Sequence, residues 1–234
     1  MTDIKKSEPA AGYPPEEGCY LRGNDYSPVA VVVILRWMRE QTPPDIEKLV
    51  RVGVESGAVL AGTLQTENIG IEKIICNVVA NPNIRYLILC GPESPGHLVG
   101  DAILALARNG LDDRKHIIRA EAPTPYLFNI PSEFVERFRK QLTVINLVNE
   151  GSPEVIRQAV WSCYQEKPTI FRRYQLYDSG AYPDAPLSGK ITWKITQPSM
   201  EPKNEEENKQ RRKIQNLMEH IRCAAEKKRN LSCE

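Results

Sequence analysis

The chain has 234 residues with 31 basic against 30 acidic side chains, and a net charge of +1 gives no argument for nucleic acid or a strongly anionic substrate. Six cysteines without a C-x-x-C pair read as reduced thiols of a cytoplasmic protein, and Met1 to Glu8 contain no apolar stretch like a signal peptide. The longest apolar run, Val29 to Leu35, is far below the roughly 20 residues of a membrane helix, and the length suits one substantial α/β domain with an appendage.

Residues 1–28, rich in Pro, Gly and Glu and without periodicity, are predicted to be a tail and an irregular lead-in. Val29 to Leu35 is a β-branched run expected of a central strand buried on both faces. After Pro43 and Pro44, the residues Ile46, Leu49, Val50 and Gly53 recur at helical spacing, and Ala58 to Leu60 reads as a short strand. Ile71, Ile74, Ile75, Val78 and Val79 form one apolar helical stripe, ended by Asn81-Pro82. A strand over 84–90, a turn over 91–96 and a helix over 99–109 follow, with Gly110 as its cap. Next come a strand over 116–120, a helix over 131–141, a strand over 143–147 and a helix over 152–165.

This alternation predicts an α/β fold, a Rossmann-like, mostly parallel sheet with helices on both faces, as a domain spanning 29–166. Residues 167–200 read as an irregular extension of short strands, with Ile191 to Ile195 as an exposed arm. Residues 201–234 form a charged C-terminal helix or tail, in which Ile214, Leu217, Met218, Ile221 and Ala225 make a stripe able to dock on the domain or a partner.

No G-x-G-x-x-G, Walker, H-E-x-x-H or G-x-S-x-G motif is present, which disfavours the usual nucleotide enzymes, zincins and serine hydrolases. His97 stands at the helix start after the 91–96 turn, at the carboxyl edge of the sheet, where open α/β folds bind cofactors. A lone histidine in a glycine loop is ordinarily a hydrogen-bonded loop residue. Yet Gly96 and Gly100 remove bulk where a flat cofactor would approach the backbone. One imidazole holds a metal firmly only when a macrocycle supplies the other ligands.

Ala61 to Gly91, continued by Glu93, Gly96-His97 and Gly100, resembles the A subunit of tetrahydromethanopterin S-methyltransferase. The resemblance extends over residues 12–150, from Ser27-Pro28-Val29-Ala30 through Asn109-Gly110 and Pro125-Tyr126 to Val135-Glu-Arg-Phe138. It implies a cobalamin-type corrinoid in a Rossmann-like domain, with His97 as the lower axial ligand of a cobalt that alternates between Co(I) and methyl-Co(III). It further implies a methyl carrier that serves a methyltransferase system. A partner resembling the H subunit of the same complex would deliver methyl from methyl-tetrahydromethanopterin, with coenzyme M as acceptor. The corrinoid contacts so implied are Gly62, Thr63, Leu64, Thr66, Glu67, Gly91, Gly96, His97, Leu98, Pro125 and Tyr126.

Two departures from the family's pattern stand out. Pro92 and Pro95 replace the usual Thr and Gln, and Pro95 falls where other cobalamin domains place an aspartate on the imidazole, so Glu93 or Asp101 is expected to accept from His97 instead. The C-terminal region is polar where members of the sodium-translocating complex carry a hydrophobic helix, which suggests a soluble form passing methyl groups between cytosolic methyltransferases. Two other readings stay open: a cofactor-free binding or regulatory module that kept the fold, and an α/β enzyme using Cys90 or Cys76 as nucleophile.

Overall fold

The sheet begins at an edge, where β1 (Tyr20–Arg22) runs antiparallel to a later strand, and moves to its centre with β2 (Val29–Ile34), all of whose residues are buried. This computed structural model describes residues 4–36 and 42–193, together with Glu205, Glu206, Lys209, Gln210, Arg212 and Lys213. The chain divides into two compact units, Met1–Lys194 and Ile195–Glu234. The described residues of the second are helical, and the stripe from Ile214 to Ala225 lies outside the described residues.

In the first unit α1 (Pro44–Glu55) leads to β3 (Leu60–Leu64), and α2 (Ile69–Val79) to β4 (Tyr86–Gly91). Then α3 (Val99–Asn109) and α4 (Ser132–Gln141) precede β5 (Thr143–Val148), and α5 (Pro153–Cys163) follows it. The strand order is β1-β3-β2-β4-β5, parallel except for β1. Alternate residues of β2 serve two cores. Ala30, Val32 and Ile34 join α2, α3 and α4, whereas Val29, Val31 and Val33 join α1 and α5. This two-sided burial is why the strand reads as an unbroken apolar run. Because the chain leaves β2 toward β3 through α1 on one face and leaves β4 toward β5 through α3 and α4 on the other, the loops after β2 and β4 diverge, and His97 lies in the second of them, at the switch point of the sheet.

Beyond α5 a two-stranded hairpin, β6 (Thr169–Phe171) and β7 (Tyr174–Leu176), buries Phe171 and Leu176 in the α1/α5 core. The Tyr174 hydroxyl accepts the Asn146 N–H at 2.8 Å, so the hairpin blunts the β5 edge. The chain then crosses the amino-terminal edge of the sheet as a strap. Asp178 pairs with Lys6 at 2.5 Å, and Tyr182 N–H donates to Pro82 O. Arg137 holds Asp184 O and Ala185 O, each at 2.8 Å, and Leu187 N–H reaches Val79 O. Ile191 N–H then meets Glu16 Oε1 at 2.5 Å, and Thr192 N–H donates to Asn129 O.

The structure corrects several local expectations. Residues 116–120 form no strand. They lie in a 111–131 excursion ordered by two isolated bridges, Leu111 with Ile117 and His116 with Tyr126. The third strand runs from Leu60 to Leu64 rather than over 58–60, because Gly62, Thr63 and Leu64 still pair with β2. β1 falls in a segment predicted irregular, three residues being too few to show alternation. Residues 191–193 carry no strand, and the rest of that predicted arm lies outside the described residues.

Candidate functional site

The site is assembled from three loops at the carboxyl end of the parallel strands. After β4, Gly91 and Gly96 take φ values of +86° and +87°, and Leu98 sits in the left-handed region at +46° just before α3. Ser94 O accepts the N–H groups of His97 and Leu98. Glu93 accepts the N–H groups of Ser94, Gly100 and Asp101 at 2.8, 3.1 and 3.0 Å. A carboxylate on the first-turn N–H groups satisfies donors that a helix leaves open and complements its positive end. The His97 loop is thereby fixed by the Glu93 carboxylate and by its own backbone bonds.

His97 projects from this loop with its side chain 41% exposed, and its Nδ1 lies 2.9 Å from Oε2 of Glu67, which is 2% exposed. Glu67 comes from the loop between β3 and α2. Its Oε1 accepts the Thr124 N–H at 3.2 Å and the Thr124 hydroxyl at 2.7 Å. Burial pushes the Glu67 carboxyl up, but the bonds from Thr124, its own N–H and His97 outweigh that, and the net shift is downward. An ionised carboxylate only accepts. The proton shared with His97 therefore belongs on Nδ1, and in the neutral ring Nε2 keeps its lone pair.

Glu67, rather than Glu93 or Asp101, is thus the acceptor for the imidazole. Glu93 is committed to the α3 start, and Asp101 Oδ2 accepts the Glu121 N–H at 2.7 Å. Gly100 also differs from expectation, since a Cβ there would stand 2.5 Å from Glu93 Oε2 and 2.8 Å from Ile34 Cδ1. Its missing side chain makes room for the cap. Gly96 has no atom within 4 Å of a Cβ position, so the space beside His97 is open.

The other residues named from sequence divide into two groups. Gly91, Gly96, His97 and Leu98 share the loop after β4, and Thr66 and Glu67 share the adjoining one, where Thr66 Oγ1 accepts the Gly70 N–H at 3.0 Å. Gly62 and Thr63 line a cavity of about 110 Å³ between the sheet and α2, which residues 17–20 also line. Leu64 is buried, against Gly70. Pro125 is buried and its carbonyl accepts the Ile117 N–H, while Tyr126 stacks on Phe128 and meets His116 edge-on. Thr124, two residues before Tyr126 in the 122–126 stretch expected beside the His97 loop, reaches the site through its bonds to Glu67.

Buried Cys76 and Cys90 contradict a thiol-nucleophile reading: burial pushes both thiols up to about 12, where almost no thiolate exists at neutral pH. Among the described residues no group of three or more His, Cys, Asp or Glu could hold a metal ion, and no helix is long and apolar enough to cross a membrane.

Comparison with known proteins converges on one family. The family model for the A subunit of tetrahydromethanopterin S-methyltransferase matches residues 6–177. Form 1 of the tetrahydromethanopterin S-methyltransferase A subunit from Methanothermobacter thermautotrophicus is 42% identical over 169 residues, covering 72% of this chain and 66% of the relative. Form 2 from the same organism is 35% identical over 189 residues, covering 80% and 91%. The A subunit of the Methanopyrus kandleri enzyme is 39% identical over 186 residues, covering 79% and 68%. The chain thus spans just under two thirds of the form 1 relative and nearly all of form 2.

Proposed function

Because the chain belongs to the family of tetrahydromethanopterin S-methyltransferase A subunits, we propose that it is the corrinoid-bearing methyl carrier of a methyltransferase system, with His97 as the axial ligand that the protein gives to cobalt. The supporting observation is the Nδ1 contact of His97 with Glu67 at 2.9 Å, which turns Nε2 into a lone-pair donor. That donor would suit a metal whose remaining ligands a macrocycle supplies. When bound, the corrinoid supplies a cobalt centre able to accept a methyl group and give it up.

The chain's own part is to present Nε2, to keep the proton on Nδ1 and to hold the surrounding loops. A Cβ at Gly96 would meet nothing within 4 Å, so no side chain there bars a flat ring from the backbone. Thr66, Glu67, Gly91, Gly96 and Leu98 are the nearest proposed contacts, and Gly62, Thr63, Leu64, Pro125 and Tyr126 are proposed further out. We assign the transfers themselves to partners: a methyltransferase like the H subunit of the complex, which delivers methyl from a methyl-tetrahydropterin, and an acceptor thiol. The cytoplasm is the compartment this reading implies.

Reconstitution with hydroxocobalamin, removal of excess and a visible spectrum test it. Wild type is expected to retain the corrinoid with imidazole ligation, and His97→Ala to lose that spectral signature. Retention by neither protein would leave only the cofactor-free module, and identical spectra would remove His97 as the ligand.

A further inference from the structure

Glu72 is a carboxylate in the first turn of α2 that is 0% exposed, on a helix whose apolar stripe gives it no reason to be inside. Asn129 meets both of its oxygens. The Asn129 N–H donates to Oε1 at 2.7 Å and Asn129 Nδ2 donates to Oε2 at 2.8 Å. Asn129 belongs to the 111–131 excursion, a connection with no helix or strand of its own, whose shape rests on its two isolated bridges and on ties of this kind.

The second tie of the same stretch is the candidate site itself. Thr124 is bound to Glu67, and five residues on, Asn129 is bound to Glu72, five residues beyond Glu67. Two carboxylates at the start of α2 therefore hold two points of one short loop segment. Fixing one point constrains the other, because only four residues separate Thr124 from Asn129.

We infer that Glu72 is a positioning residue for the His97 site, acting through Asn129 to hold the loop at the place where Thr124 reaches Glu67 and keeps its second oxygen on His97 Nδ1. A carboxylate suits this task because both oxygens accept, matching the two donors of Asn129. An amide in its place turns an NH₂ toward one of those donors. The consequence for the tautomer of His97 stands without any cofactor, and the consequence for ligand affinity rests on the corrinoid reading above.

The test is ¹⁵N–¹H NMR of the imidazole in the full chain, without cofactor. Wild type is expected to hold His97 in one dominant tautomer, protonated at Nδ1. Glu72→Gln should give a mixture of tautomers, and the swap Glu72→Gln with Asn129→Asp, which restores complementary donors and acceptors, should recover the single form. A purely structural role predicts no such recovery at His97. Should Glu72→Gln fail to fold, Asn129→Ala removes one half of the tie and is expected to give the same mixture. A folded Glu72→Gln or Asn129→Ala protein with the wild-type tautomer overturns the inference. Hydroxocobalamin titration of the same proteins should then show affinity lowered about tenfold in the single variants, as for other outer partners of a metal ligand. Wild type that binds no hydroxocobalamin counts against the corrinoid reading alone, and the NMR result still decides the role of Glu72.

Discussion

Gly100 stands three residues after His97 and serves the loop, not a ligand. A methyl group at this position would meet Glu93 Oε2 at 2.5 Å and displace the carboxylate that caps α3. Gly100→Ala should cost about 2 to 3 kcal/mol, combining overpacking with loss of a cap, and a urea titration measures it. Glu67 carries a different signature. Its carboxyl lies below the ordinary value of 4.5 in the folded chain, so its contribution is complete above that value and is lost as pH falls through the lowered one. Melting from about pH 6 to about pH 3 should therefore cost wild type more than Glu67→Gln, whose side chain has no proton to take up. Equal acid sensitivity in both proteins would place the linkage elsewhere. His97 was singled out by its loop and by the family resemblance. Its partner was hidden because Glu67 is 30 residues away in sequence, and nearer acids were already engaged.

At the scale of elements, α2 illustrates both the power and the limit of periodicity. Ile71, Ile75, Val78 and Val79 are buried as their spacing predicts, but Ile74 is only partly covered while Glu72, Cys76 and Asn77 are enclosed. The helix has further buried flanks, against α4 and the 111–131 loop at Glu72 and against Glu16 at Asn77, and a stripe calculated against one surface misses them. The same physics explains the strands. β2 and β4, enclosed on both faces, show as continuous runs, whereas β1 is made mostly by its pairing with β3. Burial within elements also protects thiols. Cys76 in α2, Cys90 in β4 and Cys163 in α5 should escape a disulfide-forming reagent in the native protein and react only on unfolding, while exposed Cys19 reacts at once. Mass mapping of labelled peptides reads this directly.

For the whole first unit, stability depends on what closes the amino-terminal edge of the sheet. Arg137, 8% exposed, donates to Asp184 O, Ala185 O and Gln141 Oε1 and lies 4.3 Å from the centre of the Tyr182 ring. Arg137→Ala should destabilise by about 2 to 4 kcal/mol and make residues 178–191 the first site of proteolysis. A variant cleaved first within the β2–β4 core would contradict that role for the strap. The ties to Asp184 O and Ala185 O were not visible in the sequence, since they join polar atoms 47 and 48 positions apart and create no hydrophobic pattern.

The strap also sets a schedule for biosynthesis. Lys6 must find Asp178, 172 positions later, and Glu16 must find Ile191, 175 positions later. A nascent chain can assemble β2, β3 and β4 early, because their pairings are closer in sequence. The α2/α4 face stays uncovered from the emergence of α4 until the strap has left the ribosome, so apolar surface there is open to chaperones, or to aggregation, over that interval.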